Sequence, residues 1–326
     1  MYMKERAKAW LYALILGIVL PGVLFSVAEK TVLKPAPTVP TDTPTQPQET
    51  QTASPDTDTL LVVQSDGRAV QMDMDTYLTG VLLGEIPTEF DIEALKAQAV
   101  VARTYALKRQ NAGSKHTSGG VCTDSACCQS YCSKEAFFQN GGTQQALDKV
   151  IGAVEDTEGQ VLTYKGQLIE ATYFSCSGGR TEDAVAVWGT ELPYLQAVDS
   201  PGEENAAHYL DQVTFTASEF ASRLGISPQG KPVDWFGAVT YTDGGGVNTM
   251  MIADKLFAGT TLRKQLGLRS TAFTVMPMGD QILISTKGFG HRVGMSQYGA
   301  EAMAVGGSTY QEILAHYYPG TQLAIN

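Results

Sequence analysis

Residues 29–58, EKTVLKPAPTVPTDTPTQPQETQTASPDTD, are dominated by proline and threonine and show no hydrophobic period. A segment of this kind cannot bury enough apolar surface to offset the entropy lost on ordering. It is therefore expected to be an extended tether, and it divides the chain. On its N-terminal side Lys4, Arg6 and Lys8 precede an uncharged run from Ala9 to Ala28. That run is about long enough to cross a bilayer as a helix. The basic flank would stay inside and the remainder would be exported. Ser26-Val27-Ala28 also reads as a cleavage site, so residues 1–28 are an anchor or a signal, with the retained anchor favoured. What is left to fold is residues 59–326, a single large exported domain. A net charge of −11 makes a polyanion such as a nucleic acid an unsuitable partner for it.

Within that domain helical and strand signals are segregated rather than alternating. This predicts an α+β fold of helices and short antiparallel hairpins, with room for two lobes around a cleft. Hairpin turns are expected at Asp66-Gly67, Lys165-Gly166 and Gly279-Asp280. The second of these is expected to organise the whole stretch QVLTYKGQLIEATYFSCSGG. Asp75 is the expected N-cap of a helix through TYLTGVLLG, and Asp91 that of the next. In that next helix Ile92, Leu95, Ala99, Ala102 and Ala106 recur at spacings of three and four. Further helices are expected around residues 146–157 and in STYQEILAHYYPGT.

Four stretches could carry chemistry. In GVLLGEIPTEF, Glu85 stands among Val81, Leu82, Leu83, Ile86 and Pro87 at a helix end. Apolar surroundings and the C-terminal end of a helix both oppose ionisation. A carboxyl kept protonated near neutral pH is what a general acid requires; the plainer alternative is a solvated helix-end glutamate. Next, Cys122, Cys127, Cys128 and Cys132 crowd behind His116. Cysteines in an exported chain suit disulfides, whereas a mixed sulfur and imidazole set suits zinc. The residues leave both open. Cys176 stands apart and is expected to be buried. The loop YFSCSGGRTED allows close backbone approach to a ligand at its paired glycines. GFGHRVGMSQYGA surrounds His291, Gln297 and Tyr298 with glycines without matching a phosphate-binding loop. Its amide and aromatic groups suit a sugar. His208 and His316 are expected to be structural.

Read together, YLTGVLLGEIPTEFDIEALKAQAVVARTYAL, CQSY, YFSCSGGRT, WGTELPYLQAV, GFGHRVGMSQYGA and EILAHYYPGT resemble, in order, the stage II sporulation protein D family. The resemblance implies a membrane-anchored, extracytoplasmic lytic transglycosylase, placed between the mother-cell and forespore membranes during engulfment. It would cut the β-1,4 bond between N-acetylmuramic acid and N-acetylglucosamine in glycan strands stripped of their peptides. Its implied partners are a sporulation amidase and the membrane engulfment complex. A related non-catalytic class, the amidase enhancers, shares much of the motif set and is the alternative. Glu85 aligns with the family's catalytic glutamate. His116, Cys122 and Cys128 match the His-x5-Cys-x5-Cys set that holds zinc in clostridial-type members, with a fourth position left open. Cys127 and Cys132 fall outside that set and could compete for the metal or pair with each other. Tyr173 and Ser177 lie in a segment that contacts substrate. Arg103, Tyr105, Gln129, His291 and Gln297 are implied as further substrate-binding residues by their place in shared motifs. Arg292 stands where many members have glycine, which puts the local backbone in question.

Overall fold

The computed structural model describes residues 59–111 and 114–326. The expected anchor and tether, residues 1–58, lie outside the described residues. Among the described residues no helix is long and apolar enough to cross a membrane. The architecture is α+β, with five small sheets and helices packed around two hydrophobic cores.

The first core begins with a hairpin. Strands β1 (Thr59–Val63) and β2 (Ala69–Asp73) are antiparallel and turn at Asp66-Gly67. Strand β2 passes directly into helix α1 (Met74–Glu85). Its N-cap is Asp73, whose side chain accepts from the Thr76 N–H at 2.8 Å. The expected cap, Asp75, falls inside the first turn, because the helix starts as soon as the hairpin ends. There it pairs with Arg103 at 3.7 Å. Asp91 does cap helix α2 (Ile92–Asn111), accepting from the Glu93 N–H at 2.9 Å.

Helix α2 is buried far beyond the stripe that its period predicts. Every residue from Ala97 to Leu107 is buried. A helix covered on all sides is an interior helix, and its many alanines let neighbours approach closely. Around it pack α1, the helix Gln144–Glu155 and several later elements. The short strand β3 (Val121–Cys122) joins β1 in parallel. Helices α3 (Lys134–Gln139) and α4 (Gln144–Glu155) follow, each capped by a hydroxyl, Ser133 and Thr143.

Strands β4 (Gln160–Tyr164) and β5 (Gln167–Leu168) make the expected hairpin, with Lys165 and Gly166 both at positive φ (51° and 75°). Two such residues in succession form the turn whose twist matches a tight hairpin. The hairpin stops at Leu168, short of the stretch expected from sequence. Ile169 and Ala171 dive into the core. Strand β6 (Tyr173–Phe174) then pairs in parallel with a strand more than a hundred residues later. Helix α5 (Ala184–Trp188) ends on Gly189 in the left-handed conformation.

Apart from the hairpin expected at Gly279-Asp280, no element of the second core is predicted from sequence. This core comprises β7 (Leu210–Thr216), α6 (Ala217–Leu224), β8 (Phe236–Tyr241), β9 (Val247–Ile252), β10 (Lys255–Ala258), α7 (Gly259–Leu266), β11 (Phe273–Met278) and β12 (Gln281–Lys287). Sheets β11-β12-β7 and β10-β9-β8 are antiparallel throughout. They enclose Phe215, Phe220, Ile252, Leu262, Ile282 and Ile284. The expected hairpin at Gly279-Asp280 joins β11 to β12.

The chain then returns to the first core. Strand β13 (Met295–Ser296) pairs with β6, helices α8 (Gln297–Val305) and α9 (Tyr310–Tyr317) pack on α2, and β14 (Gln322–Ile325) pairs with β4.

Candidate functional site

Glu85 is the last residue of α1 and is half-buried. Two glycines on that helix explain how it is held. Gly80 and Gly84 are four residues apart and share a face. The loop of residues 130–132 lies on that face. A Cβ at Gly80 would stand 2.2 Å from the Tyr131 ring, and one at Gly84 would stand 2.9 Å from the Tyr131 nitrogen. Cys132 N–H donates to Gly80 O at 2.9 Å. The docked loop brings the Ser130 N–H onto the Glu85 carboxylate at 2.5 Å. One residue earlier, Gln129 is fully buried; its amide donates to the Tyr173 hydroxyl at 3.1 Å and accepts from Tyr77 at 3.2 Å.

Burial raises the Glu85 carboxyl above its ordinary range, while the Ser130 N–H and the Tyr173 hydroxyl favour the ionised form. The carbonyls at the end of α1 act in the same direction as burial. No second carboxylate is among the groups that set its ionisation. The result is one acid that is stable when protonated and has two donors in place to receive the charge once the proton leaves.

The cysteine loop is covalently continuous with this arrangement. Cys128 precedes Gln129 and Ser130, and its sulfur stands 3.5 Å from His116 Nε2. Cys127 Sγ is 3.7 Å from the same nitrogen and 3.9 Å from Cys128 Sγ. With Cys122 these donors all lie within 4.8 Å of one another. A tetrahedral zinc with ordinary Zn–S and Zn–N bonds has edges of about 3.5–3.8 Å. The spacings among His116, Cys127 and Cys128 are close to those edges, and Cys127 adds a fourth donor to the three expected ones. Cys132 is not in the cluster; its sulfur faces Ser133 O at 3.6 Å. All five cysteines are free thiols, and Cys176 is buried as expected, against Glu203.

The other expected site residues divide into two groups. Gln129 and Tyr173 meet at Glu85. Burial, and after it the neighbouring Cys128, pushes the Tyr105 hydroxyl up to about 12. His291 packs edge-on against Phe174 and beside Trp188, with ring centroids 5.6 and 5.4 Å apart. Burial and then the Arg263 charge push it down to about 4, so the ring is neutral.

Arg103, Ser177 and Gln297 are held elsewhere in the interior. Arg103 donates to the Thr157, Val154 and Gln160 carbonyls at 2.7, 3.2 and 3.3 Å, closing the end of α4. Ser177 is completely buried and donates to Glu203 at 2.9 Å. Gln297 opens α8 and donates to Gln98 at 3.4 Å. Their donors are spent on the protein itself. Sequence reasoning placed them by motif, and a motif does not distinguish a residue that touches substrate from one that holds the loop. It passed over Tyr77, Trp188 and the Gly80/Gly84 pair; the four-residue glycine spacing on a helix was the available signal for the last.

The question at Arg292 is also resolved. The residue adopts φ 65°, where glycine costs nothing and a side chain is strained. Its guanidinium compensates by donating to Ser177 O, Glu182, Arg180 O and Gly244 O at 2.7, 3.2, 2.6 and 2.7 Å. Glu182 in turn accepts from Thr242 and from the Gly246 N–H. This knot joins the segment after β6 to the loop between β8 and β9.

The family described as stage II sporulation protein matches residues 65–164. The chain is 41% identical to stage II sporulation protein D of Bacillus subtilis (strain 168) over 256 residues, covering 77% of this chain and 74% of that protein. The same figures hold for stage II sporulation protein D of Bacillus amyloliquefaciens. It is 31% identical to the amidase enhancer of Bacillus subtilis, covering 76% of this chain and 40% of that longer protein. With that identity sustained across most of both sequences, the chain belongs to the stage II sporulation protein D family.

Proposed function

We propose that the protein is a peptidoglycan lytic transglycosylase acting during sporulation engulfment. The observation that carries this reading is the single Glu85 carboxyl, raised by burial and held by Ser130 and Tyr173. Ordinary glycosidases use a pair of carboxyl groups. Cleavage without water needs one. Protonated Glu85 gives its proton to the glycosidic oxygen as the C1–O bond breaks. The carboxylate, steadied by the Ser130 N–H and the Tyr173 hydroxyl, then takes the proton of the muramic C6 hydroxyl. That oxygen bonds to C1 and forms a 1,6-anhydro ring. The acid is restored and no water is consumed.

His116, Cys122, Cys127 and Cys128 would hold zinc. The metal's chemistry there is structural: it would fix the loop that presents Gln129 and the Ser130 N–H to Glu85. Binding requires thiolates and a neutral imidazole, so it weakens as pH falls. Protein purified without added metal should carry close to one equivalent of zinc by elemental analysis. Cys127→Ser should lower that content and Cys132→Ser should leave it unchanged. Less than about a tenth of an equivalent in the unaltered protein would remove the metal from this reading.

The proposed substrate is glycan already stripped of stem peptides by an amidase partner, and the proposed location is the space between the two membranes, with residues 1–28 as anchor. Purified protein should release anhydro-muramic products from amidase-treated sacculi and much less from intact ones. Equal release from both would contradict the preference. The amidase-enhancer likeness favours one other reading, a non-catalytic glycan binder. That reading stands if no anhydro product appears while amidase activity rises on addition of the protein.

A further inference from the structure

A second feature is centred on His291. A cavity of about 540 Å³ is lined by Trp188, Thr260, Arg263, Lys264, Thr271 and His291 among others, and no carboxylate lines it. This is unusual in a chain of net charge −11. Arg263 and Lys264 come from α7, which Leu262 and Leu266 anchor in the second core. Trp188 and His291 come from the first-core side of the chain. Among the described residues neither cation forms an ion pair. Arg263 is desolvated enough that burial lowers its pKa. A partly buried guanidinium without an acidic partner is a costly arrangement for a fold alone, and a fitting one for an anionic ligand.

The other walls define the ligand further. Trp188 ends α5 and is 43% exposed, and its indole is a flat apolar surface of the kind that stacks on a sugar face. The His291 Nδ1 accepts from the Val293 N–H at 3.1 Å. In the neutral ring the proton is therefore on Nε2, and the Tyr173 backbone is the group that favours protonation of the ring. Thr260 and Thr271 add hydroxyls. The volume is in the range of small-ligand sites. His291 packs on Phe174, which follows Tyr173 in β6.

We propose that this cavity receives the lactyl carboxylate of a muramic acid residue, with Trp188 under the sugar ring and Arg263 and Lys264 on the carboxylate. The inference rests on the glycan-cleaving reading. In intact peptidoglycan the lactyl group is tied up as an amide to the stem peptide. Hydrolysis of that amide leaves a free carboxylate and removes the bulk of the peptide. The pocket thereby reads the product of an amidase by its charge as well as by the space vacated, and it assigns the substrate preference to named side chains.

The test is equilibrium binding to the full chain carrying Glu85→Gln, so that turnover does not enter. Three defined β-1,4 glycans of equal length serve as probes: an alternating strand with free lactyl carboxylates, the same strand with those carboxylates converted to methylamides, and a chitin oligosaccharide without lactyl groups. The free-acid strand should bind at least tenfold more tightly than either of the others. Arg263→Gln combined with Lys264→Gln should abolish that difference while leaving chitin-oligosaccharide binding and thermal unfolding unchanged. Arg263→Lys should restore part of it. Equal affinity for the acid and the methylamide, or a preference that survives the double substitution, would overturn the proposal. If the double variant unfolds, the probe comparison on the unaltered pocket still decides. Because no arm depends on bond cleavage, failure of the transglycosylase reading and failure of the carboxylate pocket give different results.

Discussion

Glu85→Gln is expected to fold normally and to cleave peptide-stripped glycan on the order of 10²–10⁴-fold more slowly than the unaltered protein. Glutamine is nearly isosteric, and its amide oxygen keeps the Ser130 N–H bond, so the loop of residues 130–132 should stay on Gly80 and Gly84. What disappears is an acidic proton. The pH dependence supplies a second readout. Because the folded-state carboxyl is raised above its usual value, activity should decline as pH rises through that raised value and the acid form is depleted. The sign for stability runs the same way. A carboxyl raised on folding adds stability that is full below its unfolded pKa and is lost as pH rises through the folded one. Glu85→Gln should therefore match the unaltered protein at acid pH and exceed it slightly at neutral and alkaline pH. Anhydro-product release measured across pH, alongside thermal unfolding, checks both. Cleavage within a few-fold of the unaltered rate would take the acid role away from Glu85.

Arg292→Gly is expected to destabilise the fold by about 3–5 kcal/mol, even though glycine suits the backbone there better. The φ of 65° is relieved by the substitution, a gain of roughly 1 kcal/mol. Against this, Glu182 is fully buried and loses the cation that favours its ionised form. The carbonyls of Ser177, Arg180 and Gly244 also lose their donor. Denaturant unfolding gives the number. The double variant Arg292→Gly with Glu182→Gln should recover part of the loss, because it no longer leaves a charge buried alone. A single-variant loss under about 1 kcal/mol would mean that the knot contributes little beyond shape.

What could be read from the sequence was local. Lys165-Gly166 and Gly279-Asp280 announce their turns through the chemistry of two adjacent residues. Glu85 announces itself through an apolar neighbourhood within four positions on either side. The long-range partners were not legible in the same way. Asp73 rather than Asp75 caps α1 because the hairpin before it ends where it does. Ser177 and Arg103 sit in motifs shared with the family, yet their partners, Glu203 and the end of α4, are contributed by other segments. Cys127 differs from Cys132 only in which way the loop turns after Asp124. The burial of α2 on every side depends on α8 and α9, nearly two hundred residues later, and no period within α2 itself records them.

The order in which the two cores occur along the chain has a consequence for synthesis. Leu210 and Lys287 are paired at the ends of β7 and β12, and Gly288 N–H donates to Tyr209 O at 2.9 Å. The chain thus leaves the first core and returns to it at one point, and the second core is a continuous segment between the two. Chains emerge from the N-terminal end and segments fold as their contacts become available. The inserted segment has all its strands and helices once β12 is made. The first core, although it starts earlier, lacks β13, α8, α9 and β14 until the final residues appear. The later-starting half can therefore be native while α2 still presents an uncovered apolar flank. During that interval the nascent chain is at its most vulnerable to self-association, and shielding by a chaperone would matter most.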